Sequence, residues 1–69
     1  MMKKETIVKK IKRVEDSLTR MENGMYSGVS IGWITDTIAW LWKFRYISYE
    51  QLTDLTARAR YVIWLAGLE

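Results

Sequence analysis

The chain has 69 residues, room for one small domain, and it contains no cysteine and no histidine. A single core of that size leaves roughly a few kcal/mol of margin. Disulfides and nitrogen- or sulfur-ligated zinc are excluded as reinforcement, so oligomerisation is expected to complete the fold. The same composition removes the imidazole base and the thiol nucleophile. No catalytic residue, cofactor or metal site is expected, and Gly24, Gly28 and Gly32 fit neither a Walker loop nor a dinucleotide fingerprint.

The net charge of +3 is unevenly distributed. The first 13 residues carry six lysines and arginines against Glu5, whereas the remainder holds five basic groups against seven acidic ones. A basic arm ahead of a mildly acidic body can mark an anionic partner, and Lys9, Lys10, Lys12 and Arg13 are the candidate contacts. A solvated helix face has the same composition, and that plainer reading is preferred. The N-terminal lysines lack the apolar run and cleavage site of a signal peptide. Apolar runs such as Ile38 to Trp42 fall far short of the roughly 20 residues that cross a bilayer. A cytoplasmic protein without a membrane partner is therefore expected.

The first predicted helix covers about residues 3–23. Ile7, Ile11, Val14, Leu18, Met21 and Met25 succeed one another at alternating steps of four and three, the repeat of a coiled-coil seam. Lys10 and Glu15 then occupy flanking positions able to pair across a parallel dimer. Glu5 with Lys9 and Asp16 with Arg20 form i, i+4 pairs. A seam of fewer than three heptads is too short to stand alone, so it is assigned to packing against the next helix, extended across a dimer. Asn23-Gly24 ends this helix, with Gly24 in the left-handed position. The glycine-rich connection reads as a loop that folds back over the core through Met25, Tyr26 and Val29. Ser27 or Ser30 caps the second helix.

That second predicted helix, about residues 30–46, holds three of the four tryptophans and organises the chain. At about 100° per residue, Ile31, Ile34, Ile38, Leu41 and Trp42 share one face. Trp33, Trp40 and Phe44 share another beside it, and Gly32, Asp36 and Lys43 make the polar strip. An apolar arc twice the usual width asks for cover from two sides, so Trp33, Trp40 and Phe44 are candidate interface residues.

The third predicted helix, about residues 48–68, opens on Ser48 with Gln51 three residues on, a capping box. The short connection makes the second and third helices an antiparallel hairpin. Leu52, Leu55, Ala59, Val62 and Ala66 form the inward stripe, widened by Ile63. Tyr61, Trp64 and Leu68 lie on the other side and join the candidate interface residues. The segment ISYEQLTDLTARARYVIWL superficially resembles the paired helices of helix-turn-helix repressors. Its turn position falls at Ala57, among good helix formers, so one continuous helix is favoured over a reading head.

The expected fold is all-α: a three-helix bundle, or a helical hairpin plus an N-terminal helix, completed by homo-oligomerisation. The expected function is a non-enzymatic, self-associating adaptor or inhibitor that occupies another protein's surface. Size class alone compares it with accessory proteins of phages and mobile elements, including host-defence inhibitors. The alternative is a nucleic-acid-binding protein using the basic arm, with Trp33, Trp40 and Phe44 stacking bases. It ranks second because the basic cluster and these aromatics belong to different helices.

Overall fold

The computed structural model describes residues 3–68, the side chain of Leu68 excepted. Within them the fold is all-α, with α1 at Lys4–Glu22, α2 at Ile31–Lys43 and α3 at Tyr49–Leu68. The three helices pack pairwise into a bundle. No helix among the described residues is long and apolar enough to cross a membrane.

Each boundary is set by local chemistry. Gly24 sits at φ 82°, its N–H bonded to the Met21 carbonyl at 3.0 Å and that of Met25 to the Arg20 carbonyl at 2.9 Å. That pair of bonds is a Schellman motif, in which a left-handed residue turns the chain back onto the last carbonyls. Met25, expected on the seam, instead lies past the helix end and is half exposed. Ser30 caps α2 by accepting the Trp33 backbone N–H at 3.2 Å. The capping box forms in full: Gln51 N–H donates to Ser48 Oγ at 3.1 Å, and Ser48 N–H donates to Gln51 Oε1 at 2.8 Å. α3 then runs unbroken through Ala57, so no separate recognition helix exists.

The second helix departs from its predicted length, stopping at Lys43 rather than near residue 46. Arg45 occupies the left-handed region at φ 59°. The bonds from Arg45 N–H to the Trp42 carbonyl and from Tyr46 N–H to the Leu41 carbonyl close a second Schellman motif. The turn thus consumes Phe44, Arg45 and Tyr46, and returns Ile47 to the core, where it is 4% exposed.

The core joins Val14, Leu18 and Met21 of α1 to Ile34, Ile38 and Leu41 of α2 and Leu55, Ala59 and Val62 of α3. Ile7 and Ile11 pack against it from the N-terminal part of α1. Those residues are the inward stripes read at helical spacing, and burying each large one contributes about 1.5–3 kcal/mol. Across α1 and α3, Arg58 donates to both carboxylate oxygens of Glu22 at 2.8 and 3.2 Å, and to Thr19 Oγ1 at 3.1 Å. The hydrogen bonds from Arg58 hold the Glu22 carboxyl below its usual pKa.

Candidate interaction surfaces

Three surfaces carry exposed or half-buried aromatic and basic side chains. The first lies where α1 crosses α2. Lys10 Nζ stands 5.6 Å from the centre of the Trp40 ring, and the Arg13 guanidinium 5.3 Å from that of Trp33. A residue further along α1 meets one further back along α2, so the two helices run antiparallel. Long basic side chains lay their methylene stems on an indole and keep the charge in water. Trp33 and Trp40 are accordingly half-buried and packed against the core. Trp40 also meets Phe44 at 5.4 Å and Tyr46 at 5.3 Å between ring centres. Phe44, with Lys43 Nζ 5.7 Å from its ring, remains 51% exposed.

The basic and aromatic groups, expected on separate surfaces because they belong to separate helices, are brought onto one by Lys10 and Arg13. Lys10 lies over Trp40, an intrachain contact of a residue expected to reach across a dimer to Glu15. Lys9 and Lys12 are exposed and line a shallow surface with Arg13, Asp16, Ser17, Arg20, Gly28 and Val29. Arg20, expected beside Asp16, reaches the Ser27 carbonyl. Asp36, Thr37, Lys10 and Trp40 border the neighbouring hollow, so the acid of the α2 polar strip faces the lysine of α1. Among the described residues no cluster of acidic side chains is arranged to hold a metal ion.

The second surface belongs to α3 and the outer side of α2. An apolar groove of about 430 Å³ is bordered by Thr35, Ala39 and Trp42 on one helix and Leu52, Thr56 and Ile63 on the other. The buried side chains of Ile38 and Ala59 also line it. Trp42 is held in place from two sides: the Arg45 guanidinium lies 4.0 Å from its ring centre, and Tyr49 meets it edge-on at 6.0 Å. Arg60 is the charged residue of the lining. Tyr49 is 68% exposed and Ile63 48%.

On the far side of α3, Tyr61 and Trp64 stack at 6.1 Å and are both at least half exposed. Leu68, grouped with them from the sequence, has a side chain outside the described residues. Sequence reasoning places Leu52 and Ala59 in the core and leaves Tyr49, Thr56, Thr35 and Ala39 unassigned. Their signal is present all the same: Tyr49, Thr56 and Ile63 recur every seven residues, a row beside the stripe of Leu52, Leu55, Ala59 and Val62 that meets the core.

Compared with known proteins, the chain matches no family model, no curated protein and no solved structure.

Proposed function

We propose that the protein is a non-enzymatic interaction module, a self-associating adaptor or inhibitor that acts in the cytoplasm by occupying another protein's surface. The observation that carries this reading is the stacked Tyr61–Trp64 pair, two large aromatic rings facing solvent on the side of α3 turned away from the core. Exposed tyrosine and tryptophan are characteristic anchors of protein interfaces, and this pair lies outside the buried core. A composition without imidazole or thiol supports a role through contact and not through chemistry. By size-class analogy, the biological setting is an accessory protein of a phage or mobile element that inhibits a host defence.

The test is the double variant Tyr61→Ser, Trp64→Ser. Its melting temperature should fall by no more than about 4–8 °C, because two surface substitutions at about 0.5 kcal/mol or less each amount to at most about 1 kcal/mol. Capture of the cellular target should be lost. An unchanged target profile would refute the reading.

One observation favours a second reading. Lys10 and Arg13 over Trp40 and Trp33, with Lys9, Lys12 and Arg20 alongside, form a basic and aromatic surface of the kind single strands track along. Phosphate contacts make such binding fall steeply with salt. Lys9→Glu with Lys12→Glu changes only exposed positions and leaves both indole contacts intact. Sub-micromolar nucleic-acid binding at about 150 mM salt, lost in that variant, would promote this reading over the first.

A further inference from the structure

We infer that Asn23 is a site of spontaneous deamidation, held shut in the folded chain by the Schellman motif that ends α1 and opened when that end frays. The inference is independent of the proposed function and concerns a different part of the molecule.

The chemistry resides in the Asn23-Gly24 dipeptide. Once base has removed its proton, the Gly24 backbone nitrogen attacks the carbonyl carbon of the Asn23 side chain. A bond forms between that nitrogen and that carbon, the bond from the carbon to Nδ2 breaks, and Nδ2 takes up a proton and leaves as ammonia. The resulting cyclic succinimide is opened by water at either carbonyl, giving aspartate or isoaspartate. One water is consumed, one ammonia is released, and nothing is oxidised or reduced. Glycine is the most permissive residue to follow the asparagine, because it has no Cβ to crowd the attacking nitrogen and its backbone adopts strained geometries readily. Both residues are exposed to water, and a Cβ built on Gly24 would meet no atom within 4 Å, so nothing in the fold shields the dipeptide by packing.

What protects it is hydrogen bonding. The Gly24 N–H, whose proton must be lost, donates to the Met21 carbonyl at 3.0 Å, and the Met25 N–H donates to the Arg20 carbonyl at 2.9 Å. Asn23 Nδ2 donates to the Thr19 carbonyl at 2.9 Å, which turns the amide back along the helix and away from the nitrogen that would attack it. Nucleophile and electrophile are therefore each engaged with α1, on opposite sides of the Asn23 backbone. Cyclisation requires both bonds to break together, which is a local opening of the last turn of α1.

The product cannot restore the closed end. An ionised carboxylate has no proton to donate, so the bond to the Thr19 carbonyl is not remade. Its new negative charge stands at the negative end of the α1 dipole, next to Glu22, whose carboxylate ties α1 to α3 through Arg58 at 2.8 Å. An isoaspartate also lengthens the main chain by one carbon inside the hydrogen-bonded turn. Deamidation is thus one-way, and it weakens the same helix end whose opening allowed it.

Asn23 is the only asparagine in the chain, so conversion of its amide to an acid is read from the intact mass and placed by fragmentation. The full-length wild type is incubated at mildly alkaline pH in two samples, one native and one unfolded in guanidinium chloride, with circular dichroism confirming each state. Conversion should be at least about tenfold faster in the unfolded sample, because the native chain reacts only through its opened fraction. Asn23→Ser in the same denaturant should gain no mass, which separates Asn23 from the amide of Gln51. Asn23→Asp, the product made directly, should raise the unfolding equilibrium constant by about fivefold or more. Absence of conversion in the unfolded wild type, or a mass gain that persists in Asn23→Ser, overturns the site. Equal rates in the native and unfolded samples overturn the protection by the helix end. An Asn23→Asp protein as stable as wild type overturns the one-way weakening of α1. The rate comparison uses the wild type alone, so it stands whether or not either variant folds.

Discussion

Arg45 is the residue whose substitution most sharply tests how α2 ends. It is the one described non-glycine residue at positive φ, at 59°, and its guanidinium lies 4.0 Å from the centre of the Trp42 ring while donating to the Trp42 carbonyl. Two contributions of opposite sign meet there. The left-handed backbone costs an L-residue about 1–2 kcal/mol, and the cation over the indole returns about 0.5–1 kcal/mol at a partly exposed site. Arg45→Ala removes the second contribution and keeps the first, so it should destabilise by about 1 kcal/mol, which for a domain this small lowers the melting temperature by about 4–8 °C. Arg45→Gly removes both. Glycine regains most of the backbone strain but carries extra unfolded-state entropy, so it should be more stable than the alanine variant by about 0.5–1 kcal/mol.

Urea denaturation of the three proteins at equal concentration, with far-UV circular dichroism as the readout, measures both differences. An alanine variant as stable as the glycine variant would refute the reasoning, because it would mean the backbone at residue 45 is not held left-handed. The glycine variant should fold near wild-type stability yet hold Trp42 less firmly at the groove wall.

Trp40→Ala should destabilise by about 2–3 kcal/mol, less than the about 3–5 typical of a fully buried tryptophan, because the ring is half-buried among Phe44, Tyr46 and Lys10; an unchanged urea midpoint would contradict that packing. Arg58→Met should cost about 1 kcal/mol near pH 7 through the lost charge-assisted bonds to Glu22, a figure reduced for side chains still about a quarter exposed. Because Glu22 is shifted below its usual 4.5, the contribution is fully present above that value and disappears as pH falls through the folded-state pKa. The stability gap between wild type and Arg58→Met should therefore close as pH drops below about 4.5, and a gap that persists under acid would show the bond to be unimportant.

The parts of the fold that could be read from the sequence are those in which a local residue type forces a backbone outcome. Gly24 ends α1 and Ser48 with Gln51 opens α3, because the left-handed turn and the paired amide bonds need those groups there. The inward stripes could be read because burial at helical spacing admits few other residues. The end of α2 could not. Phe44-Arg45-Tyr46 contains no glycine, proline or asparagine, and the helix stops because tertiary contacts, Arg45 on Trp42 and Ile47 in the core, outweigh the propensity of the segment. The character of the α1/α2 surface was hidden for a related reason. Periodicity shows that Trp33 and Trp40 share a face, but whether lysine and arginine stems from another helix cover that face depends on the crossing of α1 over α2.

That crossing also explains where the uncovered surface ends up. α1 brings Lys10 and Arg13 over Trp40 and Trp33, so part of the broad apolar arc of α2 is covered from within the chain while Phe44 stays half exposed. α2 then has 13 residues and α3 has 20, about 20 and 30 Å of helix at 1.5 Å per residue. About two turns of α3 therefore have no α2 beside them, and the hairpin's outer groove has no helix across it. Apolar side chains remain exposed at both places, Tyr61 and Trp64 at one and Tyr49 and Ile63 at the other, and at about 100° per residue the two pairs are centred roughly 110° apart around the helix.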